Sequence, residues 1–119
     1  LQGRYDLALG KGPAVGLYNF HGRGTLNGCI GHPGLYHLAR QCAQREGMPL
    51  QEFASIGMLT DTAYVQMEGG YVGCLDMGFP ARYTHTPIET VDIRDLKGLA
   101  DLVTNMAVGL GPDFPIKRY

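Results

Sequence analysis

Two strand-like runs flank a segment whose apolar residues recur at helical spacing, and that alternation constrains the fold more than any other feature of the chain. The first run, Pro13-Ala14-Val15-Gly16-Leu17-Tyr18-Asn19-Phe20, is entered through the turn Gly10-Lys11-Gly12. Pro33 then opens a helix, because a first-turn position leaves the missing N–H of proline without cost. Leu35, Leu38, Ala39, Cys42 and Ala43 form its core-facing stripe. Gly47 is placed for a left-handed cap, and Pro49 stops the helix from resuming. Leu50 to Ile56 is the second strand-like run.

Further along, Thr60-Asp61-Thr62 can cap a short helix through Ala63, Tyr64, Val65 and Met67, stopped by Gly69 and Gly70. Val72 to Met77 reads as a third, buried strand interrupted by Asp76, which is expected either to pair across the sheet or to face a partner subunit. Phe79 to Pro87 reads as a loop leaving that strand. The last helix is the best specified. Asp92 is its cap, Asp95 approximates the capping-box partner, and Val91 with Leu96 has the spacing of a hydrophobic staple. Leu96, Leu99, Ala100, Leu102, Val103, Met106 and Leu110 make its predicted buried stripe, and Gly111-Pro112 ends it. The tail from Asp113 to Tyr119 is expected at the surface, and His21 to Gly31 as a glycine-rich surface loop. The sum is an α/β fold: a layered sheet with flanking helices.

Composition narrows the function. The 119 residues suffice for one domain, and ten basic against eleven acidic residues offer no footprint for nucleic acid or a membrane surface. No apolar run reaches the roughly 20 residues of a membrane-spanning helix. Leu1-Gln2-Gly3-Arg4-Tyr5-Asp6 has neither an initiator Met nor a signal-peptide pattern and reads as mid-chain sequence, so a piece of a longer protein is expected. Cys29, Cys42 and Cys74 are widely spaced, which suits buried thiols in a reducing, cytoplasmic setting.

Four places could carry chemistry. Arg82-Tyr83-Thr84-His85-Thr86-Pro87-Ile88-Glu89 gathers a base, a phenol, an imidazole and a carboxylate beyond a strand end, where ligands collect in open α/β sheets. There His85 could ligate a metal through one ring nitrogen, with Glu89 fixing the ring through the other, or it could be an ordinary loop histidine. Thr60 and Asp61 could face a substrate amine, although spacing alone favours a helix cap. His32 and His37 lie five apart, share no helix face, and are expected at the surface or as caps, as is His21. His21-Gly22-Arg23-Gly24 lacks the lysine of a phosphate loop.

Taken in order, Leu9-Gly10-Lys11-Gly12-Pro13-Ala14, His32-Pro33, Thr60-Asp61-Thr62-Ala63 and Arg82-Tyr83-Thr84-His85-Thr86-Pro87-Ile88-Glu89-Thr90-Val91-Asp92 resemble the glutamyl and deblocking aminopeptidases, some once labelled cellulase M or endoglucanase. The match runs from about Leu9 to Leu110. The resemblance implies the C-terminal part of a zinc-peptidase-like (phosphorylase/hydrolase-like) catalytic domain. The N-terminal portion and an inserted smaller domain lie outside the chain.

It further implies a cytoplasmic metallopeptidase that removes N-terminal residues from peptides using two divalent ions, zinc or cobalt, and assembles as dimers up to dodecamers. On this resemblance His85 is the last metal ligand, Thr60, Asp61 and Arg82 contact substrate, and Glu89 supports His85. The remaining ligands and the general base belong to the family's N-terminal half, so this chain alone is expected to be inactive. The alternatives are a non-catalytic assembly module of the same origin and a glycoside hydrolase. The second requires two facing carboxylates, and Trp, the usual sugar platform, is absent. Departures from the family pattern are Ile56-Gly57-Met58-Leu59 where glycines are usual, Thr62 in place of Ala, and Ala81 in place of Thr.

Overall fold

The computed structural model describes residues 7–22, 27–70 and 72–115. Its central strand is β1 (Ala14–Phe20), which pairs in parallel with β3 (Gln51–Ile56) across the helix α1 (Pro33–Arg45). The other edge of β1 is shared. β2 (Gly28–Ile30) takes its far end, Tyr18 to Phe20, and β4 (Met77–Gly78) takes its near end, Ala14 and Val15, both antiparallel. A short helix α2 (Thr62–Val65) and a 3-10 turn (Glu68–Gly70) follow β3. A two-stranded hairpin, β5 (Ala81–Arg82) with β6 (Thr90–Val91), precedes the long helix α3 (Ile93–Gly109). No helix among the described residues is long and apolar enough to cross a membrane.

The core lies on the face of the sheet covered by α1 and α3. Val15, Ala39, Cys42, Ala43, Leu102 and Met106 are buried there, with Tyr36, Leu38, Met48, Leu50, Leu75 and Met77 packed around them. Among the described residues the three cysteines form no disulfide, and all three are buried. α1 ends as its glycine requires: Gly47 has φ +63, and its N–H donates to the Gln44 carbonyl. Its N-terminus is capped by His32, which is fully buried, so only the capping half of the expectation for this residue holds. Its Nδ1 accepts from the N–H groups of Gly34 and Leu35 at 3.1 and 3.4 Å. His37 is exposed.

Several expectations are corrected. The span from His21 to Gly31 is not all loop, because Gly28–Ile30 forms β2, and residues 23–26 lie outside the described set. Val72 to Met77 is not a strand. The β1 edge that it would need at Tyr18 to Phe20 is held by β2, so only Asp76 to Gly78 reaches β1, starting with Gly16 N–H to Asp76 C=O at 2.8 Å. The segment before it lies against the start of α1, where His32 N–H donates to Cys74 C=O at 2.7 Å. Phe79 to Pro87 is not all loop, because Ala81–Arg82 pairs with Thr90–Val91 as β5, and the residues after Arg82 are the turn of that hairpin. In the tail, Phe114 is half-buried, its ring centroid 6.3 Å from that of His32. Residues 116–119 lie outside the described set.

α3 departs from its predicted pattern in two ways. Asp92 caps it, its carboxylate accepting from Arg94 N–H at 2.9 Å. Hydrogen bonds from the Arg94 side chain hold Asp92 down to about 2. Asp95, however, is not a capping-box partner. It is completely buried and accepts from the N–H groups of Gly10 at 2.7 Å and Gly12 at 2.8 Å. The first turn of a helix favours a carboxylate, and here that carboxylate ties the turn entering β1 to α3. Gly12 is the permissive partner in this contact: its φ is +95, and a Cβ would sit 2.2 Å from the Pro49 carbonyl oxygen. Second, only Leu102 and Met106 of the predicted stripe are buried and Leu99 is half-buried, whereas Leu96, Ala100, Val103 and Leu110 are exposed. Val91 and Leu96 are likewise both exposed.

Candidate functional site

The hairpin after β5 carries the sharpest local geometry. Tyr83 and His85 both have left-handed backbones, with φ +58 and +63, and are the only non-glycine residues with positive φ among those described. Such conformations cost of order 1–3 kcal/mol and persist where the surroundings impose them. Three hydrogen bonds do so here. His85 N–H donates to Glu89 Oε1 at 2.6 Å, Thr86 Oγ1 donates to the Tyr83 carbonyl at 2.5 Å, and Ile88 N–H donates to Thr86 Oγ1 at 3.3 Å. Glu89 therefore acts on the His85 main chain, not on its ring. The imidazole stands on an exposed residue at the hairpin tip.

Arg82 and Glu89 line one wall of a cavity of about 680 Å³, with Thr84, Ala81, Phe79 and Met58. A smaller apolar cavity of about 230 Å³ adjoins it, and the two share Leu7, Met58, Gly78 and Phe79. Thr60 and Asp76 line this second one. The end of β3 and the hairpin, far apart in sequence, thus line neighbouring cavities that share four residues.

Asp76 organises the β3 side, and the expectation of a partner across the sheet holds for it through Asn19 of β1. Its Oδ1 accepts from Thr60 Oγ1 and Thr62 Oγ1, each at 2.9 Å, and Oδ2 accepts from the side-chain amide of Asn19. The two hydroxyls are 2.6 Å apart. Asn19 is buried, and among the described residues its Oδ1 has no hydrogen-bond partner. Asp61 sits at the N-cap position of α2 without a side-chain capping bond and is exposed. Its carboxylate therefore faces outward while Thr60 and Thr62 are held from below. Burial, and then the charge of Asp76, push the neighbouring Cys74 thiol up.

The link between Asp76 and α2 is open to test. Asp76→Ala is expected to speed amide exchange at Ala63, Tyr64 and Val65 by about tenfold or more, because their turn loses both hydroxyl anchors. Asp76→Asn should have a smaller effect. Unchanged exchange in the alanine variant would show that α2 holds itself in place.

No group of three or more histidine, cysteine, aspartate or glutamate side chains among the described residues could hold a metal ion. His85 fits the role of one nitrogen donor in a larger set, since its ring is exposed and its backbone is fixed, but it does not make a site by itself.

A family model described as M42 glutamyl aminopeptidase matches residues 2–102. The chain belongs to the M42 glutamyl aminopeptidase family. M42 is a metallopeptidase family, so divalent metals are part of its general chemistry. SgcX of Escherichia coli strain K12, which carries the name putative aminopeptidase, is 34% identical over 112 residues, covering 94% of this chain and 30% of that protein. The aminopeptidase APDkam598 of the archaeon Desulfurococcus kamchatkensis superposes with a TM-score of 0.79 at 27% identity, over 89% of this chain and 28% of that one. PhTET1-12s, a structure described as a dodecamer, shares the fold with a TM-score of 0.67 at 24% identity, over 86% of this chain and 28% of its own. This M42 chain thus spans about 30% of the length of the relatives it matches, and the matched part is C-terminal. Its layered sheet and helices are the M42 fold in part.

Proposed function

We propose that this chain forms the C-terminal part of the catalytic domain of a metal-dependent aminopeptidase. His85 is one ligand of a pair of divalent ions, zinc or cobalt. The observation that carries this reading is the Arg82–Glu89 hairpin inside the M42 match, with an exposed imidazole on a backbone locked in the left-handed region. His85 would hold such an ion together with further donors, and the bound metal would supply activation of a water and polarisation of the scissile carbonyl.

The chain's own residues bind and orient. The outward carboxylate of Asp61 suits the free amino group of a peptide. Thr60, tied to Asp76, keeps the Asp61 turn in place. Arg82 lines the wall of the larger cavity, where its guanidinium can hold a peptide carbonyl or carboxylate. Glu89 holds His85 in position through the main-chain N–H. A reducing, cytoplasmic setting, which suits three buried cysteines outside any disulfide, and homo-oligomeric assembly belong to the same proposal. Family membership favours the peptidase reading over the glycoside-hydrolase one.

One imidazole does not hold two ions, so the 119-residue chain with added zinc or cobalt is expected to release no detectable product from aminoacyl p-nitroanilides. Sustained turnover would show that its ligand set is complete. A fusion of this chain behind the preceding part of SgcX supplies the remaining donors. Loaded with either metal, that fusion is expected to remove N-terminal residues from short peptides. A folded, metal-loaded fusion without such activity overturns the aminopeptidase reading.

A further inference from the structure

Four side chains from three parts of the chain converge around the Asp76 carboxylate, and they are one proton short. Asp76 Oδ1, Thr60 Oγ1 and Thr62 Oγ1 form a triangle with edges of 2.9, 2.9 and 2.6 Å. Each edge is a hydrogen-bond distance and needs a proton between its oxygens. A carboxylate only accepts, and each hydroxyl carries a single proton. Two protons therefore serve three edges, and the edge that goes without sets oxygen lone pairs against each other.

A second, independent observation lies on β1. Asn19 is 1% exposed, and its Nδ2 donates to the other oxygen of the same carboxylate, Asp76 Oδ2. The Oδ1 of that same amide is buried and has no hydrogen-bond partner among the described residues. Burying an amide oxygen without a partner is unfavourable, and such atoms are rare in folded proteins.

A positive ion answers both deficits at once. It takes a lone pair from each hydroxyl and from the Asn19 amide oxygen, while both hydroxyl protons stay on Asp76 Oδ1. The donors are all oxygen, which suits hard cations. They carry one negative charge between them, so a single positive charge balances the site and a second would be left uncompensated in a half-buried place. The short edges of the triangle favour a small ion.

The geometry points to a sodium site formed by Asn19, Thr60, Thr62 and Asp76. Thr60 and Asp76 line the apolar cavity of about 230 Å³, which gives the ion its way in. Bound there, sodium ties β1, the end of β3 and the segment before β4 at one point, and it steadies the turn from which Asp61 projects. The site requires no catalytic metal and no peptide.

The experiment melts the 119-residue chain, followed by circular dichroism, in the chlorides of sodium, calcium and tetramethylammonium at one ionic strength. Tetramethylammonium is too bulky for the cluster and reports the general effect of salt. Sodium is expected to raise the melting temperature above the tetramethylammonium value by about 4 °C or more, since a ligand that binds only the folded chain stabilises it. Thr62→Val keeps the shape of the side chain, removes one donor, and is expected to abolish the gain. Thr104→Val, whose hydroxyl bonds only the Ala100 carbonyl on an exposed stretch of α3, is expected to keep it.

Sodium NMR of the wild-type chain gives a reading that depends on no variant: the resonance is expected to broaden on addition of the chain and to saturate at one ion per chain. Equal melting in all three salts overturns the site, as does a gain that survives in Thr62→Val or broadening that never saturates. A larger gain with calcium than with sodium overturns the assignment to a monovalent ion. A gain that appears on acidification, alike in every salt, means that a proton fills the triangle and no cation binds.

Discussion

Asp95→Ala is expected to destabilise the chain by about 3–5 kcal/mol, a large share of the roughly 5–15 kcal/mol that holds a domain together. Asp95 is completely buried, and its two carboxylate oxygens receive the N–H groups of Gly10 and Gly12 at 2.7 and 2.8 Å. Truncation leaves two backbone donors with no acceptor, and each costs about 1–3 kcal/mol when it cannot reach water. The loss also frees the turn that delivers the chain into β1, so the damage reaches the sheet.

Asp95→Asn keeps one acceptor oxygen but turns an N–H₂ toward the second donor. About half the loss is expected. Urea unfolding followed by circular dichroism reads both values, with the alanine variant shifting the midpoint at constant slope. A loss below about 1 kcal/mol for Asp95→Ala would mean that the Gly10–Gly12 turn finds other acceptors and that the carboxylate does not organise it.

The contrast between Asp92 and Asp95 shows what a sequence discloses. Asp92 was readable because a cap is local: its partner is the N–H of Arg94, two residues away. Asp95 was assigned to the same local device, but its partners lie 85 and 83 residues upstream. β1, α1, β3 and α3 were legible to within a residue or two because period, proline and glycine all agree there. β2 was not, since three residues, one of them glycine, carry no periodic signal and become a strand only by pairing with Tyr18 to Phe20. Val72 to Met77 failed in the opposite sense: an apolar run found its partner edge already taken.

The site divides in the same way. Arg82, His85 and Glu89 stand close together in the sequence as a motif, and the structure places them on one hairpin. The cluster of Asn19, Thr60, Thr62 and Asp76 draws on β1, the end of β3 and the chain before β4, so no local pattern announces it.

His85→Ala in the metal-loaded fusion is expected to lower kcat/KM by about a thousandfold, or roughly 4 kcal/mol of transition-state stabilisation. The argument is geometric. The left-handed backbone at Tyr83 and His85, braced by Glu89, Thr86 and Ile88, fixes where the imidazole leaves the chain, and an alanine there presents no donor. Metal content should fall with activity, because a ligand acts first on affinity. Glu89→Gln weakens the 2.6 Å bond to the His85 N–H without removing the ring, so a smaller loss of about 10–100-fold is expected, eased by higher metal concentration. His37→Ala, at an exposed position on α1, should change neither quantity. Full metal content and activity within about threefold of wild type in His85→Ala would remove the imidazole from the site, and the motif would then be a structural hairpin that any stable turn could replace.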